Sequence, residues 1–245
     1  MCNTARDILC SATMPAVNTG ATQGTDLLGN PQKYAYNDGD GSTAYDVEYP
    51  LQMHGFDPNF HFVGMTFNPE MFVDMKDKYF LLNGRSYPDT TAAGPQATVS
   101  TDGQMHYSQP LPAIINIPAN GRALLRLVNL SVTEYHTIQS LGIPMHVVGW
   151  NAKLLRDQAG VNTEYWTNSI TLGGGESLDA ILDASDAGCG STGCAASLYP
   201  AGRVFYLYTP QLDHLSNDAE NFGGMMTEVH ICNSVTGSTF GNACN

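Results

Sequence analysis

The sequence predicts an all-β protein whose strands form a Greek-key sandwich behind an irregular N-terminal arm. Three observations predict this fold: short β-type runs recur along most of the chain, Gly and Pro bound them, and helical spacing is confined to one short stretch. Regularly spaced short strands are typical of sandwiches and barrels. The length agrees, because 245 residues fit one large or two small domains.

The arm comes first and covers residues 1–47. Turn-forming stretches such as LGNPQ and YNDGDGS crowd out hydrophobic periodicity there. We therefore assign residues 1–47 to an irregular arm or linker and residues 48–245 to the β-domain.

Eight strand-like runs follow the arm. In chain order they are VEYPLQMHGF, KYFLLNGRSYP, AIINIP, RALLRLVNLS, MHVVGW, SITLGG, LDAILDAS and RVFYLYTP. The fourth run is apolar on both faces apart from Arg126 and Asn129, which predicts a central strand. Asn120 and Gly121 before it predict a tight turn. The stretch LDHLSNDAENF, from Leu212, has some helical spacing, and a loop explains it equally well.

The charge of the chain argues against anionic partners. Ten Lys and Arg residues stand against 23 Asp and Glu residues, so the formal net charge is -13. This excess repels phosphate backbones and anionic headgroups. No apolar run approaches the ~18 residues of a membrane span. We expect neither nucleic-acid binding nor membrane insertion.

The cysteines form three local pairs along the sequence. An even number of cysteines in a chain rich in Gly, Ser, Thr and Asn indicates disulfides and an oxidising compartment, which is extracellular, periplasmic or at the cell surface. Zinc binding by the GCGSTGC loop is the alternative for the second pair, although no second Cys or His pair stands at zinc-finger spacing. The disulfide candidates are Cys2 with Cys10, Cys189 with Cys194, and Cys232 with Cys244.

Five segments resemble, in the same order, the second domain of the three-domain multicopper oxidases, the laccase-type family. They are KYAYNDGDGSTAYDVEYPLQMHGFDPNFH, YFLLNGRSYPDT, IPANGRALLRLVNLS, PMHVVGW and GGGESLDAILD. The first is similar to the stretch that leads from the family's first domain into its second. The resemblance covers roughly residues 33 to 231 and implies a cupredoxin-like sandwich.

The copper ligands that the family uses are missing from this sequence. Family members bind copper through His-x-His motifs, a His-Cys-His motif and an axial Met, and middle domains commonly have none of these ligands. No His-x-His occurs among the seven histidines. Thr209 stands five residues before His214, where a type 1 copper site needs a cysteine thiolate. The resemblance therefore implies no copper cofactor in this chain, and copper only in an assembly with ligand-bearing domains.

Two histidines are weak candidates for a single metal site. His146 lies in the segment IPMHVV and His214 follows the last strand-like run, so adjacent strands can bring the two together. The competing interpretation is structural, because a lone strand histidine is more often hydrogen-bonded in a core or at its edge.

The sequence leaves three hypotheses for function. The first is a structural or interaction subunit, or a fragment of a secreted or cell-surface assembly, that packs against other cupredoxin domains or copies of itself. The second is the middle portion of a copper-dependent oxidoreductase whose copper ligands lie on other chains or on further sequence. The third is a domain that binds a small molecule or glycan on the sandwich surface.

Overall fold

A computed structural model describes residues 25–63, 71–185, 198–218, 220–233 and 244. Its strands, in chain order, are β1 (Lys33–Tyr34), β2 (Ala44–Tyr45), β3 (Val47–Phe56), β4 (Tyr79–Leu82), β5 (Gln96–Val99), β6 (Met105–Ser108), β7 (Ile115–Ile117), β8 (Arg122–Asn129), β9 (His136–Leu141), β10 (Met145–Trp150), β11 (Lys153–Leu154), β12 (Tyr165–Thr167), β13 (Ser169–Leu172), β14 (Ser177–Asp183), β15 (Val204–Tyr208) and β16 (Met226–Ile231). One helix, α1 (Pro58–Val63), and 3-10 turns at Phe72–Asp74, Asp89–Thr91 and Leu212–Leu215 complete the described elements.

The strands form two sheets that face each other, as predicted. The larger sheet has the order β11-β10-β14-β8-β3-β4, with β12 also paired to β10, and the smaller one has the order β13-β9-β15-β16-β7. Two short ribbons, β1-β2 and β5-β6, stand apart from them. Neighbouring strands are often distant in sequence, which is the mark of Greek-key connections. The predicted all-β Greek-key sandwich is confirmed.

Alternating strands supply the core between the sheets. In β3 every second residue from Val47 is buried, including Tyr49, Leu51 and Met53. Strand β8, which the sequence predicted to be central, lies between β3 and β14 and pairs with β3 in parallel. Its Leu125 and Leu127 are fully buried, and burial of each such side chain contributes about 1.5–3 kcal/mol.

The tight turn predicted before β8 forms, and the predicted helical stretch is reduced to one 3-10 turn. Asn120 adopts φ +60°, and Gly121 donates its N–H to the carbonyl of Pro118 at 2.7 Å, so the predicted tight turn precedes β8. The stretch that begins at Leu212 forms a single 3-10 turn, and Leu212 itself is exposed. No helix among the described residues is long and apolar enough to cross a bilayer.

The described part of the arm packs on the outer face of the larger sheet. Its ribbon β1-β2 leads into β3, and Tyr45 packs with Leu124, Val148 and Ile181 in a second, smaller core. The Asp46 carboxylate accepts hydrogen bonds from the N–H groups of Leu27 and Arg122, at 3.0 and 2.8 Å. Residues 25–46 are therefore held against the sheet, which the turn-rich sequence did not predict. The domain boundary at residue 47 stays a prediction.

One of the three predicted disulfides lies within the described residues. Cys232 and Cys244 are joined, with an S–S distance of 2.00 Å. This pairing is confirmed. The four other candidates, Cys2, Cys10, Cys189 and Cys194, lie outside the described residues.

Candidate metal centre

Loops meet at one end of the sandwich and bring titratable side chains together. The parallel pair β3 and β8 and the strands β13 and β15 all finish there, while β4, β9 and β14 begin there. The side chains at this end are His54 on β3, Asp77 before β4, Glu134 before β9, His136 at the start of β9 and His214 after β15.

His136 is held by the loop between β8 and β9. Its ring is fully buried, and its Nε2 lies 2.5 Å from Oγ of Ser131. The Gly55 N–H also donates to that Oγ, at 2.8 Å, and the Ser131 N–H donates to Oδ1 of Asn129, at 2.8 Å. The buried Asn129 amide donates to the carbonyl of Leu172, at 2.7 Å. The polar end of the central strand therefore fixes the loop that positions His136.

His214 lies in the 3-10 turn after β15 and faces the same region. Its ring stacks on Phe80, with 3.8 Å between the ring centroids, and its Nε2 lies 3.5 Å from Oε2 of Glu134. The chain passes close to this turn at Gly224, where a Cβ would lie 2.0 Å from the His214 carbonyl oxygen and where φ is +74°. Only glycine fits that approach without displacing the turn.

Glu134, His136 and His214 form a compact ligand-like group. One ligand atom from each residue lies within 4.8 Å of the others, and the two imidazole centroids are 5.4 Å apart. Two imidazole nitrogens and a carboxylate oxygen are donors that borderline divalent metals accept. The same groups can also exchange protons with one another.

Burial keeps the two imidazoles neutral. It lowers the pKa of His136 to about 4, with further lowering from His214 and His54. Burial also lowers the pKa of His214, against an opposing effect of Asp213. The pKa of Glu134 is raised by burial and by the neighbouring Asp77 and Asp213 carboxylates. Each neutral imidazole keeps a nitrogen lone pair, which is the form that binds metal ions.

The two histidines singled out from the sequence have different partners. His146 lies on β10, with its Nε2 3.1 Å from Oε2 of Glu164 and its ring stacked on Trp166 at 4.5 Å. His214 belongs instead to the group with Glu134 and His136.

Sequence reasoning missed Glu134 and His136. The run HTIQSL, which forms β9, carries polar residues at the inward positions His136 and Ser140, and so it does not have the apolar alternation of a half-buried strand. The available signal was the spacing itself, because His136, Ile138 and Ser140 all face inward at a period of two.

The residues present do not fit a blue copper site. Thr209, which follows β15, is fully buried and donates its N–H to the carbonyl of Met225, at 3.0 Å. Its hydroxyl accepts the N–H of Gln211, at 3.3 Å. The only cysteines within the described ranges, Cys232 and Cys244, are tied up in a disulfide. The thiolate that such a copper requires is therefore lacking in this part of the chain.

Comparisons with known proteins establish the fold. A blue copper oxidase from Nitrosomonas europaea matches at a TM-score of 0.50 and 15% identity, over 75% of this chain and 43% of that one. The multicopper oxidase mgLAC matches at a TM-score of 0.50 and 14% identity, also over 75% of this chain and 43% of that one. The chain thus spans less than half the length of these structures. No protein-family model and no curated protein matches the sequence. The predicted resemblance to multicopper oxidases is confirmed at the level of the cupredoxin-like fold.

Proposed function

We propose that this chain is a structural or interaction domain of a larger, secreted or cell-surface assembly built from cupredoxin-like domains. One observation carries the proposal: the segment between β3 and β4 exposes large apolar side chains. Phe62, Met71, Phe72 and Val73 are 65 to 81% exposed. Exposed apolar patches of this kind are typical of interaction sites.

The neighbouring geometry supports a packing surface at this segment. Phe72 packs on Phe60 with 5.1 Å between ring centroids, so helix α1 and the 3-10 turn Phe72–Asp74 are in contact through apolar side chains. A pocket lined by Phe56, Phe60 and Met75, with His54 and His61, adjoins the patch. A second cupredoxin-like domain, or a second copy of this chain, would bury these side chains, which is the largest favourable contribution that such a surface offers.

The first test measures assembly and copper together. The chain is isolated from its native source with whatever copurifies, and its mass, copper content and visible spectrum are recorded. We expect a complex with a cupredoxin-like partner or a homo-oligomer, and no intense blue absorption from this chain alone. Blue absorption of the isolated chain would overturn the proposal. Copper with a blue band only in the complex would make the chain a working part of a copper oxidoreductase.

A charge introduced into the patch tests the surface. The substitution Val73→Asp is expected to release the chain from its partner, because a carboxylate buried at the interface would lack a counter-charge. The matched control is Val99→Asp on the exposed ribbon β5-β6, where the side chain is also largely exposed. A monomeric wild-type chain, or equal dissociation by both substitutions, would contradict a role for the patch.

A further inference from the structure

We propose that Glu134, His136 and His214 bind one divalent transition-metal ion of the zinc class, with two imidazoles, one carboxylate and no thiolate. This site is independent of the packing role proposed above. It also differs in chemistry from a blue copper centre, because a set of two nitrogens and one oxygen suits Zn²⁺ or Co²⁺ and lacks the soft sulfur ligand.

Unpaired nitrogens carry the argument. Within the described ranges, Nδ1 of His136 and Nδ1 of His214 are both buried without a hydrogen-bond partner, and so are Nδ1 of His54 at the same end and Nδ1 of His146 on β10. A buried polar atom without a partner costs about 1–3 kcal/mol, so several of them at one end need an explanation. A bound metal ion supplies the missing partner at Nδ1 of His136, while on His214 the nitrogen beside Glu134 is Nε2, 3.5 Å from its Oε2.

The contact of His136 with Ser131 resembles the one that a metal-bound histidine makes through its other ring nitrogen. A metal-bound histidine usually donates its other ring N–H to a fixed acceptor, which sets the tautomer. Here Nε2 of His136 meets Oγ of Ser131 at 2.5 Å, and this leaves Nδ1 as the free nitrogen. Ser131 is itself fixed by Gly55 and Asn129. The imidazole is therefore oriented before any ion arrives.

The charges around the site favour a cation. Glu134 and Asp213 both lie within 4.0 Å of His214, and within the described ranges neither forms a salt bridge with lysine or arginine. Both carboxylate oxygens of Asp77 are buried and have no hydrogen-bond partner among the residues that the structure describes. Burial and Asp57 raise the pKa of Asp77, although His54 opposes the shift. A divalent ion would compensate the carboxyl groups of Glu134 and Asp77, whereas water already screens Asp213, whose side chain is 83% exposed.

Spacing and access are both compatible with binding. Ligands at 2.0–2.2 Å from a tetrahedral ion lie about 3.4 Å apart, so the group, at 4.8 Å or less, has to close by roughly an ångström. Glu134 can make that movement, because its side chain is 35% exposed. It also lines a surface pocket with Val132, Tyr135 and Gly173, so this ligand is in contact with solvent.

Cobalt titration tests the site directly. The full-length chain is treated with chelator, and Co²⁺ is added while the visible d–d absorption is recorded. We expect one Co²⁺ per chain, with bands of four- or five-coordinate cobalt that Zn²⁺ abolishes by competition. Sulfur-to-cobalt charge-transfer bands in the near ultraviolet would instead place the ion on cysteine, and this result would overturn the proposal.

Three substitutions decide which residues bind. His214→Gln and Glu134→Gln are each expected to weaken Co²⁺ binding by more than 100-fold. Ser131→Ala is expected to weaken it by about 10- to 100-fold, as for other partners of metal-bound histidines. The matched control His146→Gln removes another half-buried histidine with a carboxylate neighbour and is expected to leave binding unchanged. Equal affinity in the wild type and Glu134→Gln would show adventitious binding only.

Thermal unfolding keeps the result interpretable if His214→Gln fails to fold. Zn²⁺ at 100 times its dissociation constant is expected to stabilise the wild type by mass action, which raises its Tm. The same addition is expected to leave the Tm of Glu134→Gln unchanged, and this variant folds because its carboxyl group is partly exposed and holds no cation. An equal rise in Tm for both proteins would overturn the proposal.

Discussion

In two glutamate–histidine pairs of this sandwich, the pKa of the glutamate is shifted in opposite directions. Glu164 lies 3.1 Å from His146 on the larger sheet, and Glu134 lies 3.5 Å from His214 at the loop end. The pKa of Glu164 is lowered to about 2, because the adjacent His146 and the hydrogen bonds from Arg156 and Ser42 outweigh its burial. The pKa of Glu134 is raised instead, by burial and by Asp77 and Asp213.

The difference comes from what surrounds each carboxylate. Arg156 Nη1 donates a hydrogen bond to Glu164 at 2.6 Å and neutralises its charge. The hydroxyl of Ser42, in the arm, donates a second hydrogen bond at 2.8 Å. Glu134 has other carboxylates as neighbours. A histidine–carboxylate pair is therefore structural where a fixed cation completes it, as in the closed pair Glu164–His146, and it is open to a metal ion where none does, as in the open pair Glu134–His214.

The largest effect is expected from removing the cation of the closed pair. Arg156→Met leaves Glu164 buried without its fixed cation, with only His146 and Ser42 beside it, and it should lower the free energy of unfolding by about 3–5 kcal/mol. Urea unfolding at neutral pH measures the loss. The matched control is Lys153→Met on β11, whose side chain is exposed and should be worth about 0.5 kcal/mol or less. A small loss in Arg156→Met would mean that the closed pair contributes little to the fold.

The two glutamates can be compared directly by the same substitution. Glu164→Gln removes the acceptor charge for Arg156 and should cost about 2–3 kcal/mol, as for hydrogen bonds to charged groups. Glu134→Gln, measured without metal, should change stability by about 0.5 kcal/mol or less, because in the described part of the chain its carboxylate pairs with His214 and with no arginine or lysine. Equal losses would remove the distinction between the closed and the open pair.

The stabilisation that ionised Glu164 gives the folded state should decrease at acidic pH. Its pKa in the folded protein is about 2, against an ordinary value of 4.5. The unfolded chain therefore binds the proton first, so the stabilisation is complete above pH 4.5 and declines as the pH falls toward 2. The stability difference between wild type and Glu164→Gln should shrink by about 2 kcal/mol between pH 6 and pH 3. A difference that is constant with pH would contradict the lowered pKa.

The sequence predicted features set by neighbouring residues, such as a strand with alternating apolar positions and a disulfide between nearby cysteines. The alternation in VEYPLQMHGF corresponds residue for residue to β3, and the nearby cysteines Cys232 and Cys244 form the expected disulfide. The strand β9 escaped prediction because its inward positions include His136 and Ser140. A functional site replaces apolar residues with polar ones, and so it weakens the periodicity that reveals a strand.

The candidate metal centre depends on topology that no local pattern contains. His136 on β9 and His214 after β15 approach each other because β15 pairs with β9 in the smaller sheet, although five strands separate them along the chain. His146 and His214, which the sequence suggested as a pair, lack that connection, because His146 lies on β10 of the larger sheet and His214 follows β15 of the smaller sheet. Strand order therefore decides which histidines meet.

The smallest effect is expected at the exposed end of the closed pair. Asp40 accepts a hydrogen bond from Arg156 Nη2 at 3.0 Å, but its side chain is 49% exposed. Asp40→Asn keeps an Oδ1 acceptor for the Ser42 N–H and removes only the charge, so we expect a loss of about 0.5 kcal/mol or less that disappears in 1 M salt. Urea unfolding at low and high salt measures it. A loss as large as that of Glu164→Gln would mean that Asp40, rather than Glu164, compensates Arg156, and the contrast with Glu134 would then rest on the wrong carboxylate.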